Sequence, residues 1–292
     1  MNIRRTVILF SGILLAASLR AGQIQSLGTD GTTVGDLMAK VGERNTEAAG
    51  ARQRHSIYID TTLSAFLFQG AGSLAGANGT FFHTDASVAN YRSTAQLLAV
   101  GWLAQGVDNS NSLVQYFSVP ANTTAFLDDF VTATLGKSGF GSVLVVGVDT
   151  FHNIDSSANL DGQSRIWTFQ PNSSGKVSLG LPSVDVRDEQ GSSSGFALGL
   201  RQDGSARTNV GIINLDNVQH TFTVTARGAS KTASFTVTVK ADSVSQVAIP
   251  AGTYGNLFLQ IQPTVDGFYW SGYGVSVDNV TGDSWASHVV QP

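Results

Sequence analysis

Cysteine is absent from all 292 residues. No disulfide can form, no thiolate can hold a metal, and no lipid can be attached through an N-terminal cysteine. Proline occurs only 6 times, and charged residues make up 13% of the chain against 42% hydrophobic, which excludes a charge-rich disordered chain. Basic residues are scarce, 17 Lys and Arg against 21 Asp and Glu, so a cationic footprint for nucleic acid or for an anionic membrane surface is missing. The longest apolar run falls short of the roughly 20 residues a membrane-spanning helix needs. The five histidines, His55, His83, His152, His220 and His288, show neither H-x-H nor H-x-x-x-H spacing, which removes the common zinc patterns. No cofactor motif is present. Stability must come from burial in a sizeable core.

What is present is glycine, 32 residues of it, with abundant Thr, Ser, Val and Asn, the composition of a turn-rich β protein. The length suits two domains of common size. Arg4 and Arg5 precede the apolar run TVILFSGILLAAS at 6–18, and Ala21 offers a small residue for cleavage, so residues 1–21 are expected to be an export signal. Removing them takes away three arginines and no acid, moving the net charge from −4 to −7. The expected location is extracellular, periplasmic or at the cell surface, with no membrane insertion after cleavage.

One stretch returns. GANGTFFHTDASVAN at 76–90 reappears as GSARTNVGIIN at 204–214, placing Thr84, Asp85 and Asn90 on Thr208, Asn209 and Asn214 at one offset, 208 − 84 = 124. A second anchor, VPANT at 119–123 against VKADS at 239–243, has offset 239 − 119 = 120, so the loop after Trp102 is shorter in the second copy. Short polar side chains at a strand entrance bond neighbouring backbone and fix a turn, and Asn at the exit tolerates the left-handed conformation. These six residues therefore read as structural anchors.

Period-two alternation is clean in the second copy. Phe222, Val224 and Ala226 alternate with threonines, Phe235, Val237 and Val239 with Ser and Thr, Leu257, Leu259 and Ile261 share one face, and so do Tyr273, Val275 and Val277. Four such runs with turns every eight to twelve residues indicate antiparallel strands with one buried and one wet face. The fold class expected is all-β: two tandem Greek-key, Ig-like β-sandwich modules from an internal duplication, at 56–185 and 186–292. Residues 22–55 form an N-terminal arm or linker, in which Val34, Leu37, Met38 and Val41 have helical spacing and Thr33 with Asp36 suggests a capping box. A glycine-rich loop is expected at 70–79, and one short crossover helix at AFLDDFVTATLG, 125–136.

The GANGTFFHTD, RTNVGIIN and GYGVSVDNVTGDSWASHV segments resemble a group of secreted bacterial tandem β-sandwich proteins of uncharacterised function. The resemblance spans most of 57–290 and implies an extracellular location and Greek-key sandwiches. It carries no catalytic residues. His83 stands where the group usually has Arg.

Chemistry is thinly signalled. Gly191-Ser-Ser-Ser-Gly195 has the G-x-S-x-G spacing, but polar RDEQ precedes it and a strand follows, so a nucleophile elbow is rejected. His152 lies among Asp149, Asp155 and Asp161 without the spacing of a calcium loop, and Asp278, Asn279 and Asp283 are an oxygen-rich turn, weak as a metal site. Asp128 and Asp129 are adjacent and form no dyad. Trp102 and Trp167 have apolar neighbours and are expected in the core. If Tyr273, Val275 and Val277 face inward, alternation sends Trp270 outward, and Trp270 with Trp285 becomes the aromatic binding candidate. The expected function is non-enzymatic: a structural, adhesive or surface-interaction protein with an extracellular protein or glycan partner. The alternatives are a carbohydrate-binding protein using these aromatics of the second module, and an enzyme with a dispersed site.

Overall fold

The computed structural model describes residues 20–49, 64–76, 79–170, 174–186 and 194–291, with side chains from residue 22 in the first stretch to residue 42. Strands dominate. The first part of the chain carries β1 (Arg20–Gly22), β2 (Gln25–Gly28), α1 (Val34–Ala49), β3 (Ala65–Ala75), β4 (Phe81–Asn90), β5 (Gln96–Ala104), β6 (Gln115–Val119) and β7 (Thr123–Leu127). It continues through β8 (Gly139–Val148), β9 (Leu160–Phe169), β10 (Lys176–Pro182) and β11 (Val184–Asp185). The second part carries β12 (Gly195–Gln202), β13 (Ala206–Asn214), β14 (His220–Gly228), β15 (Thr232–Val239), β16 (Ser243–Ala248), β17 (Gly255–Pro263), β18 (Trp270–Asp278) and β19 (Ser284–His288).

Four sheets result. Sheet I runs β1-β7-β4-β9-β10 and sheet II runs β3-β8-β5-β6-β2, joined where β3 and β4 pair at Leu74–Phe82 and Ala75–Phe81. Sheet III is β16-β13-β18-β19 and sheet IV is β12-β17-β14-β15. Among the described residues all strand pairings are antiparallel except β1 with β7. The strand order is shared: β3-β8-β5-β6 matches β12-β17-β14-β15, and β7-β4-β9-β10 matches β16-β13-β18-β19, element by element along the chain.

Successive side chains on a strand point to opposite faces, so each sheet can feed two layers. Phe66, Phe68, Leu98, Trp102, Phe117 and Val145 fill the space between sheets I and II. Val210, Ile212, Phe222, Val224, Ile261 and Trp270 fill that between III and IV. The residues in between, Leu67, Ala99, Leu103, Leu144 and Val146 of sheet II, meet Ile213, Val244, Tyr273 and Val275 of sheet III in a third core. Val34, Leu37, Met38 and Val41 of α1 complete that layer. The stack is therefore I, II, III, IV, with the two middle sheets covered on both faces. Polar groups also cross the seam. The amide nitrogen of Gln69 lies 2.8 Å from Gly272 O, 2.9 Å from Ser271 Oγ and 2.9 Å from His288 Nδ1.

This third core corrects the assignment of Trp270. The alternation is as read, with Tyr273 and Val275 on one face and Trp270 on the other. But β18 has no wet face: Tyr273 enters the seam, while Trp270, 0% exposed, packs against Phe222 at 5.3 Å between ring centres. One-face burial was the wrong premise for a strand in the middle of a four-layer stack.

Other differences are local. The α1 capping box forms, with Asp36 N–H donating to Thr33 Oγ1 at 3.1 Å and Thr33 N–H to Asp36 Oδ2 at 3.0 Å, and the helix is a structural part of the seam. The crossover helix at 125–136 is a single π-helical turn, Phe130–Thr134; Thr123–Leu127 is strand β7, and Phe130, Val131 and Leu135 are buried. The glycine-rich loop at 70–79 is largely strand. β3 runs on to Ala75, and the Thr84 hydroxyl bonds both Gly72 N–H and Gly72 O, at 2.7 and 2.9 Å. The expected strand start near Ser56 lies outside the described residues, as do residues 1–19 and Gly191–Ser193.

Candidate functional site

Sheet I is an outer layer, and its outward face is open. In β9 the sequence RIWTF inverts the usual pattern: Ile166 and Thr168 point inward, while Arg165, Trp167 and Phe169 point out. The antiparallel register sets His83 of β4 beside Trp167, Asp85 beside Arg165, and Ser87 between Gln163 and Phe126 of β7. The face thus has an aromatic end and a polar end.

At the aromatic end the His83 ring stacks on Trp167, 4.7 Å between centres and 22° between planes. Phe81 and Phe169 flank the pair, at 4.9 and 5.4 Å. Lys176 Nζ sits 3.6 Å from the Trp167 ring centre, a cation–π contact. Both faces of the indole are therefore taken, and this end is a preformed structural cluster that stiffens the sheet.

At the polar end Arg165 Nη2 donates to Asp85 Oδ2 at 2.6 Å, and Asp129 N–H donates to Asp85 Oδ1 at 3.2 Å. Burial pushes the Asp85 carboxyl up, but the Arg165 guanidinium, the neighbouring Trp167 side chain and the Asp129 N–H outweigh it and hold it below the ordinary carboxylate range. Asp129, in the left-handed conformation with φ 47°, also bonds His83 Nδ1 at 3.1 Å, which ties the two ends together. Beside this network lies a shallow depression of about 280 Å³, lined by Asp85, Ser87, Phe126, Asp128, Gln163 and Arg165. Phe126 is 66% exposed on its rim. An exposed phenyl ring next to fixed carboxylate, guanidinium, amide and hydroxyl groups can take a flat ligand that has one apolar face and a polar edge.

The residues singled out in the sequence are dispersed. Thr84, Thr208, Asn90 and Asn214 are buried and bond backbone. Asn90 Nδ2 donates to Thr94 O, Val119 O and Pro120 O at 2.9, 3.1 and 3.1 Å, and its Oδ1 accepts Arg92 N–H at 3.0 Å. Asn214 Nδ2 donates to Val218 O, Val239 O and Lys240 O at 2.7, 3.4 and 2.9 Å, and its Oδ1 accepts Asp216 N–H at 3.1 Å. Asp85 joins the open face instead of a turn, and Asn209 is half-buried in β13 opposite Ala248 and Val275. Asp278 Oδ1 is occupied by Val280 N–H, Thr281 N–H and the Thr281 hydroxyl, Asn279 Oδ1 accepts from Arg207, and Asp283 Oδ1 from Ser284 N–H. This is turn chemistry, and no group of three His, Asp or Glu able to hold a metal occurs among the described residues. The Asp149, His152, Asp155 and Asp161 set is likewise split: Asp149 caps its own loop, His152 pairs with Asp30 at 2.5 Å, and Asp155 pairs with Arg92 at 2.5 Å. His220 stacks on Phe268 at 3.5 Å between ring centres.

Trp285 is 37% exposed and bonds Gly199 O through its indole N–H at 2.9 Å. Gly199 lines a second depression, about 620 Å³, with Leu198, Arg227, Asn256 and Phe258. Among the described residues its walls are mainly apolar and backbone, with Arg227 the one ionic side chain.

The chain matches no known protein-family model, and compared with curated proteins it matches none. The site thus stands on its geometry. Phe126 and Arg165 are not legible as site residues in the sequence, because AFLDDF has the spacing of a helix and Trp167 has the apolar neighbours of a core residue. An available signal was the RIWTF inversion: a tryptophan on the same strand face as an arginine belongs to the wet side.

Proposed function

We propose that the protein acts by binding, as an extracellular surface-interaction protein, and that its ligand is a glycan seated on the polar end of sheet I. The observation that carries this is the pairing of an exposed Phe126 ring with the Asp85–Arg165 bridge, Ser87, Asp128 and Gln163 around one shallow depression. A pyranose offers a C–H face for the ring and a rim of hydroxyls for charged and amide groups, and an open sheet face admits a chain of sugars. A protein partner is the second reading, favoured by the more apolar groove beside Trp285.

Export in front of this site is supported by the Arg4, Arg5 and apolar 6–18 pattern. Cleavage after Ala21 would remove two of the three residues of β1. An internal duplication of one Greek-key module, at 56–185 and 186–292, is supported by the common strand order and by the equivalent Asn90 and Asn214 networks. The order itself places the first, sixth, third and fourth strands of each repeat in one sheet. An immunoglobulin domain places the first, second, fifth and fourth together, so the likeness to that fold is confined to two packed antiparallel sheets.

The test is a glycan array read with the wild-type protein and with Phe126→Ala. Specific spots that vanish with the substitution support the proposal. Spots that persist, or the absence of any spot for the wild type, would remove it.

A further inference from the structure

The turn between the fourth and fifth strands of each repeat is the same in both halves, with one difference. Asn122 and Asp242 both adopt the left-handed conformation, φ 49° and 43°, and donate their N–H groups to Arg92 O at 2.8 Å and Asp216 O at 2.9 Å. Asn122 is exposed, whereas Asp242 is fully buried. What lies across Asp242 is the β5–β6 loop of the first half. Asn109 N–H donates to Ala241 O at 3.1 Å, Asn109 Nδ2 to Asp242 O at 2.9 Å, Gly106 N–H to Val244 O at 3.1 Å and Ser243 Oγ to Ala104 O at 2.9 Å.

Among the described residues neither carboxyl oxygen of Asp242 has a hydrogen-bond partner. The charged groups that face it make matters worse for an anion. Asp216 approaches from the β13–β14 turn, itself bonded to His220 of β14 at 2.7 Å, and Asp108 approaches from the docked loop. The exposed Lys240 acts on Asp108. A carboxylate held in such a place without a donor is costly, and the neutral acid is not.

We infer that the joint between the two halves is proton-operated: the β5–β6 loop docks over a protonated Asp242 and loosens when that carboxyl ionises. Burial, with the like charges of Asp216 and Asp108, pushes Asp242 from 3.8 up to about 7. Once the loop lifts, the carboxyl meets water and returns toward its ordinary value. The docked form therefore holds the proton more tightly than the open form. Docking is complete in its favour below about pH 4, weakens by up to tenfold per unit as pH rises to about 7, and levels off above. Between pH 5 and pH 7 the loss is about fiftyfold.

The readout is amide hydrogen exchange at Gly106 and Asn109, whose N–H groups bond across the seam, normalised to intrinsic rates and followed from pH 5 to pH 8. Asp242→Asn supplies the residue that the first half already uses in this left-handed turn. The expected result is about fiftyfold weaker protection at pH 7 than at pH 5 in the wild type, a flat profile in Asp242→Asn, and unchanged amides in the β8 core. Asp108→Asn, a change in an exposed loop position, should move the wild-type midpoint to lower pH. A flat wild-type profile overturns the inference. So does a slope that survives Asp242→Asn, which would place the titration on another group. Recovery of protection at pH 8 on adding calcium would also overturn it, by making the carboxylate a cation ligand.

Discussion

Replacing Asn214 by alanine isolates what the repeated asparagine contributes. The residue is fully buried, and its side chain closes the exit of β13 by bonding Val218 O, Lys240 O and Asp216 N–H at 2.7, 2.9 and 3.1 Å. The contact to Val239 O, at 3.4 Å, is too long to count fully. Three sound hydrogen bonds are lost, each worth about 1 kcal/mol net. The cost is therefore about 3 kcal/mol, or a fall in melting temperature of roughly 6–12 °C at 2–4 °C per kcal/mol. Asn90→Ala removes the equivalent network in the first half and should cost a similar amount. Thermal melts followed by circular dichroism measure both. A loss under about 1 kcal/mol for either variant would refute the view that these asparagines hold the turns, and a large loss for one alone would break the equivalence of the two halves.

Trp270→Ala should cost about 3–5 kcal/mol, since it empties a fully buried site beside Phe222; a melt shifted by less than 1–2 °C would return the indole to the surface. Leu67→Ala, in the seam between sheets II and III, should cost about 2–5 kcal/mol and appear in a denaturant titration as a lower midpoint. Asp85 sits below the ordinary carboxylate range when folded, so its bridge to Arg165 contributes stability above about pH 4 that is lost as pH falls further. An acid titration of Asp85→Asn should show a shallower loss than the wild type, and equal slopes would discount the bridge. N-terminal sequencing of exported protein should begin at Gly22; an intact Met1 on cytoplasmic material would discard the export signal.

Sequence alone exposed what depends on local periodicity. The alternation in HTFTVTA and SFTVTV shows in β14 and β15, whose threonines pair in the open face of sheet IV, Thr221 with Thr238 at 3.1 Å and Thr225 with Ser234 at 2.9 Å. The helical spacing of Val34, Leu37, Met38 and Val41 gave α1 its buried face. What periodicity cannot show is how many layers a strand meets. β18 alternates like any half-buried strand, yet the seam covers its second face, and so Trp270 and Tyr273 are both interior. The site suffered from the same limit in reverse. Trp167 has apolar neighbours along the chain, but sheet I ends the stack, so its outward row is covered only by its own neighbours and Trp167 is half-buried. Phe126 was hidden by a β-strand that runs straight into a π-helical turn and mimics the spacing of one longer helix.

The most direct measurement of the binding proposal is a chemical-shift titration of the wild-type protein with the oligosaccharide that binds best on the array. The proposal requires the largest changes at residues 83–87, 126–128 and 163–167, around Phe126 and the Asp85–Arg165 bridge. Changes centred on Leu198, Arg227 and Trp285 would move the site to the second half, and no changes at saturating sugar would contradict a glycan ligand altogether.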